Sequence, residues 1–220
     1  MKHLSFISFT GFDYTSEQVL KKSRDFYELM DKRRSLRVFS DKPVDKKVIE
    51  NIIMTASSAP SGAHKQPWFF SAVSSNELKN KIRVAAEKEE YENYTGRMSD
   101  TWLKDLEPFD TGFEKPFLEI APWLIVVFKK PFDIVNGEKK QNYYVNESVG
   151  IAVGFLLTAI HHAGLVALTH TPSPMNFLEK LLKRPPNERA YLLIPVGYPT
   201  DDALIPDIKR KELKEVADFL

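Results

Sequence analysis

Arg33-Arg34-Ser35-Leu36-Arg37-Val38-Phe39 sets three guanidinium groups within five residues and follows them with an apolar residue pair. Guanidiniums this close repel one another unless an anion or carboxylates sit among them. Their planar forks match phosphate oxygens bidentately, and the Ser35 hydroxyl adds a donor. Taken alone, the run reads more simply as a basic surface turn. Its surroundings give it a place in a fold. Upstream, residues 16–31 carry Val19, Leu20, Phe26, Tyr27 and Met30 at helical spacing, opened by Thr15 and Gln18 at capping-box distance. Downstream, Asp45 can cap a helix carrying Val48, Ile49, Ile52, Ile53 and Ala56, which must stop before Pro60. Pro60-Ser61-Gly62-Ala63-His64-Lys65-Gln66-Pro67 then forms an irregular loop, whose Pro and Gly can leave backbone amides pointing at a ligand, before a strand at 68–73.

The alternation continues along the chain. Asn76 can cap a third helix reaching about Tyr94. Residues 123–128 form a continuous apolar run, the pattern of a strand buried on both faces. A long helix at 142–163, a short strand at 165–169, a helix at 174–183, a buried strand at 191–196 and a tail at 211–220 complete the reading. With no repeat, low-complexity stretch or linker, residues 1–220 read as one domain of the α+β or α/β class. The segment 87–116 stands apart: rich in charge, it holds Tyr91, Tyr94, Trp102, Phe109 and Phe113 with little periodicity. Such a segment is either a lid over a site or a solvated excursion.

Composition removes whole classes. Hydrophobic residues make up 43% and charged residues 28%, which argues against disorder. A net charge of +1 gives no broad basic field for nucleic acid. There is no cysteine, so disulfides, Cys-ligated zinc, iron–sulfur clusters and thiol nucleophiles are excluded. Residues 149–168 contain no charge, yet His161, His162 and three glycines fit a buried helix of a soluble protein better than a membrane span. The apolar stretch at 1–12 is broken by Ser5, Ser8 and Thr10 and is too short for a bilayer. A soluble, cytoplasmic protein without membrane attachment is expected. No Gly-rich phosphate loop appears, so a phosphate-bearing cofactor would have to be held by side chains.

Glu90 and Tyr94 are four residues apart and share a helix face, and Lys115 could close over the same site. A carboxylate, a phenol and an ammonium suit a zwitterionic amino acid. From spacing alone, a surface pair and an unrelated lysine are the simpler reading. His161 and His162 point about 100° apart on a helix and do not share a metal easily. His64 could act as acid or base or only orient its loop, and Glu147 suits a helix N-terminus.

The Arg33–Phe39 run, together with Ala59-Pro60-Ser61-Gly62-Ala63-His64-Lys65-Gln66-Pro67-Trp68, resembles the nitroreductase superfamily of FMN enzymes, most closely the branch that dehalogenates halotyrosines. The likeness covers nearly all of residues 17–215. It includes Glu90, Tyr94, Arg97-Met98, Trp102, Lys115, Gly164-Leu165-Val166, Thr169-His170-Thr171-Pro172, Pro195-Val196-Gly197-Tyr198-Pro199 and Pro206-Asp207-Ile208-Lys209-Arg210-Lys211. The resemblance implies an α+β fold with a mixed central sheet flanked by helices. It implies an intertwined homodimer with two FMN sites at the interface and a lid at about 87–116. Arg33, Arg34, Ser35, Leu36 and Arg37 would hold the phosphate and flavin edge, with Arg210 returning to the phosphate. Pro60, Ser61 and Gly62 would come from the other subunit, and Thr169, His170 and Thr171 would lie near the ring. Thr171 would donate to flavin N5. Glu90, Tyr94 and Lys115 would grip the substrate, whose phenolate would meet the Ala63 amide. His170 stands where a smaller polar residue is expected. The implied activity is reduction of 3-halo-L-tyrosines to tyrosine and halide, with NAD(P)H or an NAD(P)H-linked reductase as electron source. The alternatives are an NAD(P)H-dependent nitro or quinone reductase on the same FMN site, and a flavin-binding module without turnover.

Overall fold

The structure is a computed structural model that describes residues 6–220; Met1–Ser5 of the N-terminal apolar stretch lie outside the described residues. The chain divides into two compact units, residues 1–33 and 34–220. The first holds helix α1 (Ser16–Asp31). Its start is the expected capping box, with the Gln18 amide donating to Thr15 Oγ1 and the Thr15 amide to Gln18 Oε1. Val19, Leu20, Phe26 and Tyr27 on this helix are exposed.

The second unit is built on a four-stranded sheet of β1 (Trp68–Val73), β2 (Trp123–Lys129), β6 (Arg189–Gly197) and β5 (Val166–Ala167), in the order β1-β2-β6-β5. All paired strands are antiparallel, with a bulge in the β2–β6 register at Val127/Phe128. The sheet becomes mixed at its β5 edge, where Ser35 forms a parallel bridge to Ala167 and the Leu36 amide donates to the Ala167 carbonyl. That bridge lays the arginine run along the strand leading into Thr169-His170-Thr171.

β2 explains its unbroken apolar run. Side chains alternate across a strand, so Ile125 and Val127 pack on one face with α2 (Lys46–Ser57) and α6 (Val145–His162). Leu124, Val126 and Phe128 pack on the other, with Ile82 and Ala86 of α3 (Asn76–Glu92), Phe117 and Leu118 of α5 (Phe117–Ile120), and Leu178 of α7 (Asn176–Leu181). Helices therefore cover both faces. At about 1.5–3 kcal/mol per fully buried large aliphatic side chain, these two layers supply the main stabilisation.

Several sequence boundaries shift. The cap of α3 is Ser75, whose hydroxyl accepts from the Leu78 amide, rather than Asn76. The long helix starts at Val145, because Tyr144 before it takes a left-handed conformation. The strand expected at 165–169 contracts to Val166–Ala167, and the helix at 174–183 to Asn176–Leu181. A hairpin of β3 (Phe132–Val135) and β4 (Glu138–Gln141) was not anticipated; Asn136 and Gly137 turn it with positive φ. Residues 87–116 are largely helical: α3 runs to Glu92, a π-helical turn follows at Asn93–Arg97, and α4 spans Asp100–Leu106. Among the described residues, no helix is long and apolar enough to cross a membrane.

Candidate active site

Helix α3 buries Lys79, Ile82, Ala86 and Glu90, one inward stripe at helical spacing. The stripe begins and ends with a charge. Lys79 is satisfied locally, since its ammonium donates to the carbonyls of Glu119 and Ala121. Glu90 points into a cavity of about 190 Å³ lined by Arg37, Tyr94, Met98, Trp102, Leu106, Thr111, Lys115, Phe117 and residues 168–171.

The π turn carries Tyr94, whose hydroxyl donates to the Thr111 carbonyl at 3.0 Å. Asn93 Nδ2 donates to the Ser173 carbonyl, tying this turn to the stretch after Thr171. Lys115 is fixed by its own backbone, whose amide donates to Glu87 Oε1 at 2.7 Å. Its ammonium donates to Thr111 Oγ1 and the Gly112 carbonyl and lies 5.5 Å from the Tyr94 ring centroid. It stands 3.7 Å from Glu90 Oε2, and both side chains are less than a tenth exposed (5% and 8%). Beside the other carboxylate oxygen of Glu90, His170 Nε2 is 4.0 Å from Oε1.

Burial sets the electrostatics. Loss of water raises the Glu90 pKa, which nearby Lys115 counters. Burial lowers the Lys115 pKa, which Glu90 counters and Arg37 reinforces. The Tyr94 hydroxyl is raised, chiefly by burial. Burial, then the cations Lys115 and Arg37, push His170 down to about 3, so its imidazole is neutral. Burial also lowers Arg37, and among the described residues the Tyr94 hydroxyl alone offsets this; its guanidinium packs 5.5 Å from the Phe109 ring centroid. A desolvated cation without a carboxylate is a site prepared for an anion.

Of the residues singled out in the sequence, Arg37, Glu90, Tyr94, Lys115, Thr169, His170 and Thr171 line this one cavity. Arg34, Ser35 and Leu36 run beside it along Ala167 without lining it. Arg33 ends the first unit, where its amide donates to Met30. Pro60, Ser61, Gly62 and Ala63 are not among the lining residues. Their loop lies against the start of α6: the Gly62 amide donates to Ser148 Oγ, and a Cβ at Gly62 would meet the Tyr143 carbonyl at 3.0 Å. Ala63, His64 and Gln66 all hold positive φ (47°, 54° and 47°), with Ser61 Oγ accepting from the Gln66 amide and His64 Nε2 3.0 Å from Gln66 Nε2. Arg210 lies in the irregular segment after β6 and does not line the cavity. Leu106, Thr111, Phe117 and Leu168 were missed. Thr111 and Phe117 flank Lys115, which was the available signal.

A buried carboxylate–ammonium pair and an anion-ready arginine, beside a hydroxyl-rich strand end, belong to a recognisable class. The family model for the Nitroreductase family matches residues 30–198, and the chain belongs to that family. It is 61% identical over 209 residues to an iodotyrosine deiodinase of Haliscomenobacter hydrossis, covering 94% of each chain. It is 44% identical to iodotyrosine deiodinase 1 of Homo sapiens, covering 98% of this chain and 74% of that protein. It also matches a crystal structure of oxidized iodotyrosine deiodinase bound to FMN and 3-iodo-L-tyrosine. There the TM-score is 0.75 and the identity 31%, covering 88% of this chain and all of the other.

Proposed function

We propose that this protein is an FMN-dependent halotyrosine dehalogenase, converting 3-halo-L-tyrosines to tyrosine and halide. The observation that carries the reading is the meeting of Glu90, Tyr94 and Lys115 in one cavity with Arg37 and Thr169–Thr171. The donor set fits FMN. Arg37 offers a desolvated guanidinium, the adjoining 34–36 backbone brings Arg34 and Ser35, and Thr169 and Thr171 offer hydroxyls. Arg34, Ser35, Arg37 and Arg210 would hold the phosphate and flavin edge, and the Thr171 hydroxyl would donate to N5. Reduced FMN, when bound, supplies the two electrons that, with one proton, replace the carbon–halogen bond by carbon–hydrogen.

The remaining work falls to side chains of this protein. Glu90 receives the substrate ammonium and Lys115 its carboxylate, with Tyr94 between them. The zwitterion exchanges one internal ion pair, Glu90–Lys115, for two charge-assisted contacts, so desolvation already present in the cavity is not incurred again. Segment 87–116 acts as the lid: Trp102, Leu106 and the π turn exclude water when the substrate is in place. The Ala63 amide, presented by a loop held at positive φ, donates to the phenolate and steadies developing charge there.

The site is completed by a second copy. A cavity of about 190 Å³ is smaller than the roughly 300–1,000 Å³ of a complete small-molecule site. The 60–63 loop lies against the start of α6, whose outer side leaves Gly150, Ile151, Gly154 and Phe155 exposed at helical spacing. A homodimer packing through that stripe would carry each loop to the partner's cavity. Electrons would come from NAD(P)H directly or through an NAD(P)H-linked reductase.

Titration of flavin fluorescence tests the grip. 3-Iodo-L-tyrosine should quench with a Kd at least tenfold below that of 2-iodophenol, and Lys115→Ala should weaken iodotyrosine by about 10–100-fold, the worth of a charged hydrogen bond of ~1.5–3 kcal/mol, while leaving iodophenol unchanged. Equal affinities in the unsubstituted protein would refute the assignment.

A further inference from the structure

His170 is nine-tenths buried and its place is fixed. Its amide donates to the Leu193 carbonyl and its carbonyl accepts from the Leu193 amide, both at 2.9 Å, locking the residue to β6. Its ring packs edge-on against Phe117, with centroids 5.8 Å apart. Yet Nε2 is fully buried and has no hydrogen-bond partner among the described residues. An unmade hydrogen bond at a buried polar atom costs about 1–3 kcal/mol, so it calls for a function or a partner present in another state. Glu90 Oε1 is 4.0 Å from it, while Glu90 Oε2 stands 3.7 Å from Lys115. Glu90 thus lies between two donors and is within hydrogen-bond distance of neither.

We propose that His170 is a positioning residue for Glu90: with its proton on Nε2, it takes up Glu90 Oε1 when Lys115 turns to the substrate carboxylate, and so sets the preference for α-amino acids. This rests on the proposed grip of the zwitterion by Glu90 and Lys115. When Lys115 engages the substrate, Glu90 loses its cation and must be aimed at the incoming ammonium. His170 cannot move, because its backbone is pinned and its ring is packed; the longer Glu90 side chain swings the ångström required. Burial keeps the imidazole uncharged, and of the groups facing it, Glu90, Lys115, Arg37 and Phe117, the two cations add to that effect. A neutral ring with one N–H orients the carboxylate without neutralising it, leaving its charge for the ammonium.

The test is a comparison of dissociation constants, read by fluorescence of the bound flavin. The probes are 3-iodo-L-tyrosine and its desamino analogue 3-(4-hydroxy-3-iodophenyl)propionate, which keeps the carboxylate and phenol. His170→Leu should weaken iodotyrosine by about tenfold, the loss of one hydrogen bond to a charged group, and move the desamino compound less than twofold. His170→Gln, which sets an amide N–H near the Nε2 position, should restore most of the difference, and His170→Asn, which sets it at Nδ1, should not. Should the Leu protein fail to retain FMN, the Gln and Asn pair carries the same comparison. Equal weakening of both probes in Leu or in Asn, or no change in either, would overturn the proposal. If the unsubstituted protein prefers iodotyrosine and the variants keep that preference, the His170 role alone falls. If the unsubstituted protein does not discriminate, the ammonium grip falls with it.

Discussion

Glu90 occupies a position on α3 where helical periodicity calls for an apolar side chain, following Ile82 and Ala86 inward. A carboxylate there has a stability cost that Lys115 offsets. Lys115→Met removes that cation and leaves Glu90 with a carboxyl pKa raised further above its ordinary 4.5. A carboxyl whose folded pKa is raised stabilises the fold while protonated, and that contribution fades as pH rises through the folded pKa. The variant should therefore approach the unsubstituted protein in Tm near pH 4.5 and fall behind it progressively as pH rises. A constant Tm gap across pH would refute the buried-pair reading. The Glu90–Tyr94 face was legible from spacing, but their meeting with Lys115 was not. That contact depends on the 87–116 segment folding back so that Thr111 holds both the Tyr94 hydroxyl and the Lys115 ammonium, and no local period encodes such a return.

At the scale of elements, strong patterns were readable and weak ones were not. The capping box of α1, the Asp45 cap of α2 and the apolar run of β2 each have a local physical cause, and each appears where the sequence placed it. The β3–β4 hairpin was hidden because Glu138–Gln141 is polar throughout and fully exposed, so no alternation marks it. The helical structure of 87–116, expected as a weakly periodic segment, was hidden because a π turn at Asn93–Arg97 breaks the helical period midway. Arg97, within that turn, is held by Glu89 and Glu92, surface pairs that contribute little individually. Limited trypsin digestion should therefore cut first at Arg97 or Lys104. Saturating 3-iodo-L-tyrosine should slow that cut at least tenfold, because a closed lid opens less often; an unchanged rate would remove the segment from the role of lid. Helix α6 offers a second check. A side chain at Gly154 would meet nothing within 4 Å in the single chain. Gly154→Leu should thus preserve helicity by circular dichroism, since replacing an interior glycine favours the helix by about 1 kcal/mol. It should nonetheless yield monomers in sedimentation and lose FMN, whereas a dimer with bound FMN would place the interface elsewhere.

For the whole molecule, the fold brings the two ends of a reaction together without fixing which reaction it is. Ser35 and Leu36 are laid against Ala167 at the sheet edge, and the chain runs on from that strand to Thr169-His170-Thr171, so an anion and a ring could be held side by side. The proposed amino-acid selectivity rests on the Glu90–Tyr94–Lys115 corner, which plays no part in any argument about phosphate binding. The claim that this corner selects the substrate for dehalogenation is tested most directly by a single turnover. Protein reduced with dithionite is mixed with 3-iodo-L-tyrosine or with 2-iodophenol, and iodide release is followed together with flavin reoxidation. Iodotyrosine should release one iodide per flavin at a rate at least a hundredfold above that for iodophenol, corresponding to ~2.7 kcal/mol of binding energy used in orientation. Equal rates, or flavin reoxidation without iodide, would contradict it.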